Sequence, residues 1–227
     1  MGRGVGRGAE MTSTGLDVRN AYLASLDRAL VVVAAPEVAA AWDADSVLRE
    51  FTVRGLAGHL ARAGTLVEAY LDAGFPAETR DVPDAAEYYL IAALSSDVDD
   101  PMNASIRERG ESVAEGGHAA LVEMVRTARA RLEVRLAAEP ADTPIAVIGG
   151  MVLPLDEYLV TRIVELTTHT DDLAVSVGIP TPEPDPAAAT LVTHCLVTLA
   201  RRRHGDLAVL RALTRRERDA AEVLRAF

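Results

Sequence analysis

Apolar residues recur every three to four positions along most of the chain, which is the period of α-helices that bury one face. Asp17 and Thr52 precede two of these apolar runs and are suitable N-cap residues, while Gly178 follows a third run and suits a helix C-terminus. Gly116 and Gly117 are a candidate break within another run. The pattern therefore predicts four long helices, over residues 17–36, 52–74, 103–138 and 155–177.

Shorter elements are predicted between and after these helices. Pro83 fits the first turn of a short helix that carries Tyr88 and Tyr89. Two apolar runs flank Gly149-Gly150, which indicates either a small β-hairpin or an extended loop across the end of the bundle. A proline-rich connector then leads into the last helices, which are predicted over residues 187–203 and from residue 206 onward.

These elements predict an all-α fold, an up-down four-helix bundle with additional C-terminal helices and a candidate hairpin near residues 145–153. The 227 residues are 49% hydrophobic and 25% charged, which is enough for one sizeable core. Gly55, Gly58 and Gly64 each disfavour their helix by about 1 kcal/mol relative to alanine, which indicates that something packs closely there. We expect residues 1–14 to be disordered and residues 15–180 to form the bundle. Residues 181–227 are expected to form the connector and the C-terminal helices that pack on the bundle.

The composition of the chain indicates which classes of partner and which cellular compartment to expect. The net charge of −11 disfavours nucleic-acid binding, and the basic run Arg201–Arg203 lies at a predicted helix end, where cations meet the helix dipole favourably. No apolar run approaches the ~20 residues of a membrane span. A single cysteine, Cys195, fits a reducing compartment, and the Gly/Arg-rich start does not resemble a signal peptide. We therefore expect a cytoplasmic protein with no nucleic-acid or membrane partner.

Candidate metal ligands occur on two of the predicted helices. Glu165 precedes His169 by four residues, so both side chains leave one face of a helix. His59, on the second long helix, is the candidate third ligand, and two histidines with one glutamate leave a coordination position open, as in catalytic zinc sites. The alternative for Glu165 and His169 alone is an ordinary hydrogen-bonded pair on a helix surface.

Arg162 and Asp172 lie on the same polar face of the predicted helix as Glu165 and His169. Arg162 could bind a substrate carboxylate, or form a salt bridge with Glu165 or Asp172. Asp172 follows His169 by three residues and is either a hydrogen-bond acceptor for its imidazole or a surface residue. Of the remaining candidates, we expect His118 to be exposed or capping and Cys195 to lie in the core.

The segments Phe51-Thr-Val-Arg-Gly-Leu-Ala-Gly-His59-Leu60 and Thr161–Leu173 resemble the mycothiol-dependent maleylpyruvate isomerase family, specifically its metal-binding domain in the DinB-like four-helix-bundle superfamily. The resemblance covers roughly residues 16–180. It implies a DinB-like bundle in which His59, Glu165 and His169 bind a divalent metal, usually zinc. It also implies mycothiol as the thiol co-substrate, an actinobacterial source, and a homodimer as one expected assembly.

The resemblance indicates an isomerase or thiol transferase acting on a small electrophilic or unsaturated acid. A metal-activated thiolate could add to a double bond, allow rotation and leave, or it could form a stable conjugate with another acceptor. Full isomerases of the family carry a larger C-terminal domain than residues 181–227 provide. The resemblance therefore supports the metal site better than it supports maleylpyruvate as the substrate. The alternatives are a non-catalytic metal-binding regulatory or stress-response bundle, and a metal-dependent hydrolase.

Overall fold

A computed structural model describes residues 17–92, 101–217 and 220–225. The disordered segment predicted over residues 1–14 lies outside these described residues. The helices are α1 Val18–Val33, α2 Pro36–Ala40, α3 Val53–Asp72, α4 Ala85–Ile91, α5 Pro101–Ala114, α6 His118–Ala138, α7 Leu155–Val177, α8 Pro186–His204, α9 Asp206–Thr214 and α10 Ala221–Leu224. The strands are β1 Arg80–Asp81, β2 Pro144–Ala146 and β3 Met151–Pro154.

The long helices α1, α3, α6 and α7 enclose the core. Helix α7 packs against α1 and α3, while α6 packs against the same two helices from another side. Their inward faces consist mainly of leucine, valine and alanine, as the sequence period predicts. The largest fully buried side chains include Tyr22, Leu56, Leu132, Leu159 and Tyr158.

Helix ends follow the capping residues in most places. The Asp17 side chain accepts a hydrogen bond from the Asn20 amide, and Thr52 accepts one from the Gly55 amide. Gly178 ends α7 in the left-handed conformation, with φ 72°. The predicted start at Pro83 is wrong, because the Asp84 carboxylate caps the Glu87 amide and α4 begins only at Ala85.

The third predicted helix is two helices. Gly117 has φ 84° and ψ 170°, which no helix contains, so α5 ends at Ala114 and α6 begins at His118. Helix α5 then lies along α3 instead of continuing the direction of α6. The two helices approach so closely that a Cβ added at Gly58 would overlap the backbone carbonyl of Gly110. The close packing that the α3 glycines indicate is therefore present.

The chain between α6 and α7 forms two strands of a small sheet. Strands β2 and β3 form the predicted antiparallel hairpin, with Ile145 opposite Leu153. Strand β1 adds in parallel on the other side of β3, giving the order β1-β3-β2. The hairpin prediction is confirmed, whereas β1 carries no periodic signal and is not predicted by the sequence.

The C-terminal helices pack on the bundle through α8, which contacts α1, α4 and α7. Arg202 forms a bidentate ion pair with Asp84, with nitrogen–oxygen distances of 2.7 and 2.6 Å. The helix predicted from residue 206 onward ends at Thr214, and α10 follows as a separate short helix. Within the described ranges, none of the helices has the length and apolarity needed to span a membrane.

Candidate metal centre

Helices α3 and α7 bring His59, Glu165 and His169 together. One ligand atom of each residue lies within 4.8 Å of the others. His59 Nε2 is 3.3 Å from Glu165 Oε2, and His169 Nε2 is 3.5 Å from the same oxygen. The histidine rings meet edge to face with centroids 4.8 Å apart. The three side chains are 17–21% exposed, so the cluster is recessed but open to solvent.

This donor set fits a tetrahedral divalent metal. Zinc binds histidine nitrogen and carboxylate oxygen at about 2.0–2.2 Å, which places neighbouring ligand atoms about 3.3–3.5 Å apart in a tetrahedron. The two nitrogen–oxygen distances measured from Glu165 Oε2 match that separation. Three protein ligands leave a fourth position for a water or a substrate atom, as in catalytic zinc sites.

Asp172 fixes the orientation of His169. Its Oδ2 lies 2.9 Å from His169 Nδ1, which leaves Nε2 directed at Glu165. A carboxylate behind a histidine ligand favours the tautomer that presents Nε2 and raises its basicity. The corresponding nitrogen of His59, Nδ1, is buried and has no hydrogen-bond partner among the described residues. The two histidines are therefore held differently, His169 by a carboxylate and His59 by packing against Phe51.

The charges of the cluster are strongly coupled. Burial disfavours the Glu165 carboxylate, but hydrogen bonds from His169 and His59 and the charge of Arg162 hold its pKa well below the usual value. Burial also opposes protonation of His169, yet its bonds to Asp172 and Glu165 raise its pKa to about 9. Burial lowers the pKa of His59. Without metal, His169 is therefore the protonated member of the cluster and His59 the neutral one.

Tyr89 contacts the candidate metal ligand Glu165, although no motif in the sequence indicates a role for Tyr89 at the site. Its hydroxyl lies 3.1 Å from Glu165 Oε1 and 3.0 Å from the carbonyl oxygen of Thr161. This contact holds Oε1 away from the histidines and leaves Oε2 as the atom that faces them. Tyr89 comes from α4, and no sequence spacing connects that helix to α7, so only the tertiary structure reveals it.

Arg162 lies beside the cluster without the predicted salt bridge. Its guanidinium lies 5.0 Å from the Tyr158 ring centroid, and its Nε donates to Thr161 Oγ1 at 3.1 Å. Among the described residues it forms no ion pair with Glu165 or Asp172, because the Arg162 side chain extends toward the tyrosines while Glu165 turns toward the histidines. The salt-bridge alternative is therefore wrong.

The remaining histidine and cysteine candidates lie elsewhere. His118 Nε2 contacts the Val33 carbonyl oxygen at 2.7 Å and its ring packs against Trp42, at the start of α6. Cys195 is buried in the core, and burial raises the pKa of its thiol to about 12. A thiol with so high a pKa is a poor nucleophile near neutral pH.

Fold and cluster together define the chain as a helical bundle with a recessed His-Glu-His centre suited to one divalent metal. The family model described as the mycothiol maleylpyruvate isomerase N-terminal domain matches residues 22–174, and the chain belongs to this family. The DinB-like bundle predicted from the sequence is thereby confirmed. No curated protein and no solved structure matches the chain at a significant level.

Proposed function

We propose that the protein binds zinc or another divalent metal through His59, Glu165 and His169, and that it acts as a mycothiol-dependent isomerase or thiol transferase. The observation that carries the proposal is the convergence of three ligand atoms within 4.8 Å, two of the pairs at tetrahedral ligand spacing. Family membership supports the thiol, since the matching domain is that of a mycothiol enzyme. The acceptor is a small electrophilic or unsaturated acid, and the reaction takes place in a reducing cytoplasm.

In such a site, the bound metal and each of the surrounding residues would have a separate role. A bound zinc ion supplies a positive charge that lowers the pKa of an entering thiol. Glu165 contributes the negative charge of the centre, and Tyr89 fixes which of its oxygens faces the histidines. Asp172 holds the His169 ring in place. Arg162 keeps a second positive charge within reach of an acidic substrate.

Thiol turnover tests the proposed function. The chain is loaded with zinc and incubated with mycothiol and a panel of unsaturated acids and electrophiles, and thiol consumption and cis–trans conversion are followed. We expect either reaction to depend on zinc and to disappear when a chelator removes it. Stoichiometric zinc with no reaction across the panel would favour the non-catalytic metal-binding bundle, and zinc-dependent hydrolysis without thiol would favour the hydrolase.

Zinc affinity is expected to rise with pH. Because the pKa of metal-free His169 is raised to about 9, zinc must displace one proton from it at neutral pH. The apparent dissociation constant should then fall about tenfold per pH unit between pH 6 and 8 and level off above about 9. Burial lowers the pKa of His59, so His59 contributes less to this proton release than His169 does. Chelator competition at each pH, corrected for protonation of the chelator, measures the slope.

The matched control is Asp172→Asn. Loss of the carboxylate removes the strongest of the interactions that raise the pKa of His169. The pH above which the zinc affinity no longer rises should therefore be lower in this variant. A wild-type dissociation constant that is independent of pH from 6 to 8 would contradict a protonated His169.

A further inference from the structure

A cavity of about 200 Å³ lies between α1, α7 and the proline-rich connector that joins α7 to α8. Helix α7 contributes Leu166, Thr167, Thr170 and Asp171 to its wall, in two pairs of residues four apart. Leu166 and Thr170 each directly follow a candidate metal ligand, and successive residues of a helix point about 100° apart. The cavity therefore lies on a different side of α7 from the candidate metal centre.

Two polar contacts tie the connector to the helices on either side of the cavity. The Thr181 hydroxyl donates a hydrogen bond to Asp171 Oδ1 on α7, at 2.6 Å. Arg28 Nε on α1 donates one to the carbonyl oxygen of Glu183, at 2.7 Å. The connector thus forms a fixed third wall and is not a loose segment above an open groove.

The two charged side chains of α1 and α7 at this cavity differ in how far the protein neutralises them. Arg28 Nη1 donates to the Ala24 carbonyl oxygen at 3.0 Å, and Nη2 lies 3.8 Å from Asp185 Oδ2, so this guanidinium is engaged with the protein. Asp171 is exposed at the mouth of the cavity and accepts the bond from Thr181. Across the described part of the chain it forms no ion pair. The unmatched charge at the cavity is therefore negative.

Two buried hydroxyls add uncharged acceptors to the lining. Ser25 is 5% exposed and donates its hydroxyl hydrogen to the Ala21 carbonyl oxygen at 2.8 Å, which leaves the oxygen itself able to accept. Thr170 is also 5% exposed, and its hydroxyl has no hydrogen-bond partner among the described residues. Threonine adopts two χ1 rotamers in helices, so rotation about Cα–Cβ can bring the Thr170 hydroxyl to the cavity wall in place of the methyl group.

The remaining lining is mainly apolar. Leu166 and the rings of Pro182 and Pro184 supply surfaces suited to carbon atoms. A cavity of about 150 Å³ is large enough for benzene, so this one has room for a ligand of about six to eight non-hydrogen atoms. The ligand that fits combines a short apolar body with a group that donates hydrogen bonds.

We propose that this cavity binds a small primary ammonium ion that carries an apolar body. An ammonium group has three N–H donors and no acceptor, which matches a wall that offers the Asp171 carboxylate and the hydroxyl oxygens of Ser25 and Thr170. The net charge of −11 also favours a cation. An anion would face Asp171 while Arg28 is already paired. The site is independent of the proposed thiol chemistry, because it shares no residue with the metal centre.

An NMR titration of the ¹⁵N-labelled full chain at pH 7 tests the site. The probes are butylammonium, 1-butanol and butyrate, which have similar shapes and carry a positive charge, no charge and a negative charge. We expect butylammonium to shift the amide signals of Ser25, Thr167 and Thr181 and to bind at least about tenfold more tightly than either of the others. Its dissociation constant should agree within about twofold with and without zinc, because the metal ligands lie on another side of α7.

Three variants separate the charge from the space. Asp171→Asn keeps an oxygen for the Thr181 hydroxyl, and it should weaken butylammonium binding about tenfold or more while leaving 1-butanol binding unchanged. Thr167→Phe places a larger side chain at the cavity and should weaken both ligands. Asp142→Asn, which removes an exposed aspartate from the turn between α6 and β2, is the control and should change neither. Circular dichroism should show wild-type helix content in all three.

Several results would overturn the proposal. These are equal butylammonium affinity in wild type and Asp171→Asn, equal affinity for the three probes, and the absence of saturable shifts. Shifts centred on His59 would place the amine at the metal centre and would overturn it as well. A chain that takes up no zinc contradicts the proposed function alone, since the titration without metal still decides whether the cavity binds the cation.

Discussion

Replacing Gly58 with alanine is expected to destabilise the protein by about 3 kcal/mol or more, although alanine is the better helix former. The new Cβ would overlap the backbone carbonyl of Gly110, which cannot rotate away as a side chain could. Helices α3 and α5 would have to separate along their length. Since domains are stable by only about 5–15 kcal/mol, the loss is a large fraction of the total. Urea unfolding followed by circular dichroism measures it.

Two other glycines of the α3 region provide the matched controls. A Cβ at Gly74 meets no atom within 4 Å, so Gly74→Ala should be neutral or stabilising by up to about 1 kcal/mol. A Cβ at Gly64 lies 3.0 Å from Leu26 Cδ2, the end of a flexible side chain, so Gly64→Ala should fall between the two. Equal stability of the Gly58 and Gly74 variants would contradict the close α3–α5 contact.

The helices could be predicted from sequence because their signals are local. Apolar spacing and the caps at Asp17, Thr52 and Gly178 depend on residues within a turn of one another, and the structure retains them. The glycines of α3 indicated a close neighbour. They could not identify Gly110 as that neighbour, because helix packing joins residues far apart in sequence.

The residues of the candidate site likewise differ in whether a local sequence pattern reveals their contacts. Glu165 and His169 share a helical turn, so their proximity follows from spacing, and so does the Asp172 contact to His169. His59 is a candidate third ligand by its residue type, and the family resemblance supports it, but spacing alone could not place it beside the pair. Tyr89 could not be found, because its contact with Glu165 joins two helices that no local pattern relates. Arg162 shows that correct spacing does not guarantee a salt bridge when aromatic rings compete for the same guanidinium.

Different interactions support the two sides of the candidate metal centre. The α3–α5 contact lies next to His59, and Phe51 packs on the His59 ring from the chain just before α3. On the α7 side, the Tyr89 hydroxyl donates a hydrogen bond to Glu165, and the Asp172 carboxylate accepts one from His169. Substitutions in the α3–α5 contact should therefore disturb His59 first, whereas substitutions around α7 should change the chemistry of the cluster without moving the helix.

Replacing His169 with alanine is expected to weaken zinc binding by about 100-fold or more. Structural zinc sites with four protein ligands bind with about 10–16 kcal/mol, so one ligand is worth about 3 kcal/mol, which is a factor of about 100. The variant also leaves Glu165 and Asp172 without their shared partner, which disfavours both carboxylates. Chelator competition gives the affinity, and elemental analysis after dialysis gives the metal content.

A graded series of variants distinguishes ligands from their neighbours. His59→Ala should match the loss in His169→Ala, because each removes one nitrogen ligand. Asp172→Asn keeps all three ligands and should cost only about 10–100-fold, the usual effect of removing the partner of a histidine ligand. His194→Ala removes an exposed histidine of α8 and should bind zinc as the wild type does. Stoichiometric zinc after dialysis in a protein that carries both His59→Ala and His169→Ala would contradict the metal centre altogether, because Glu165 alone cannot hold the ion at that strength.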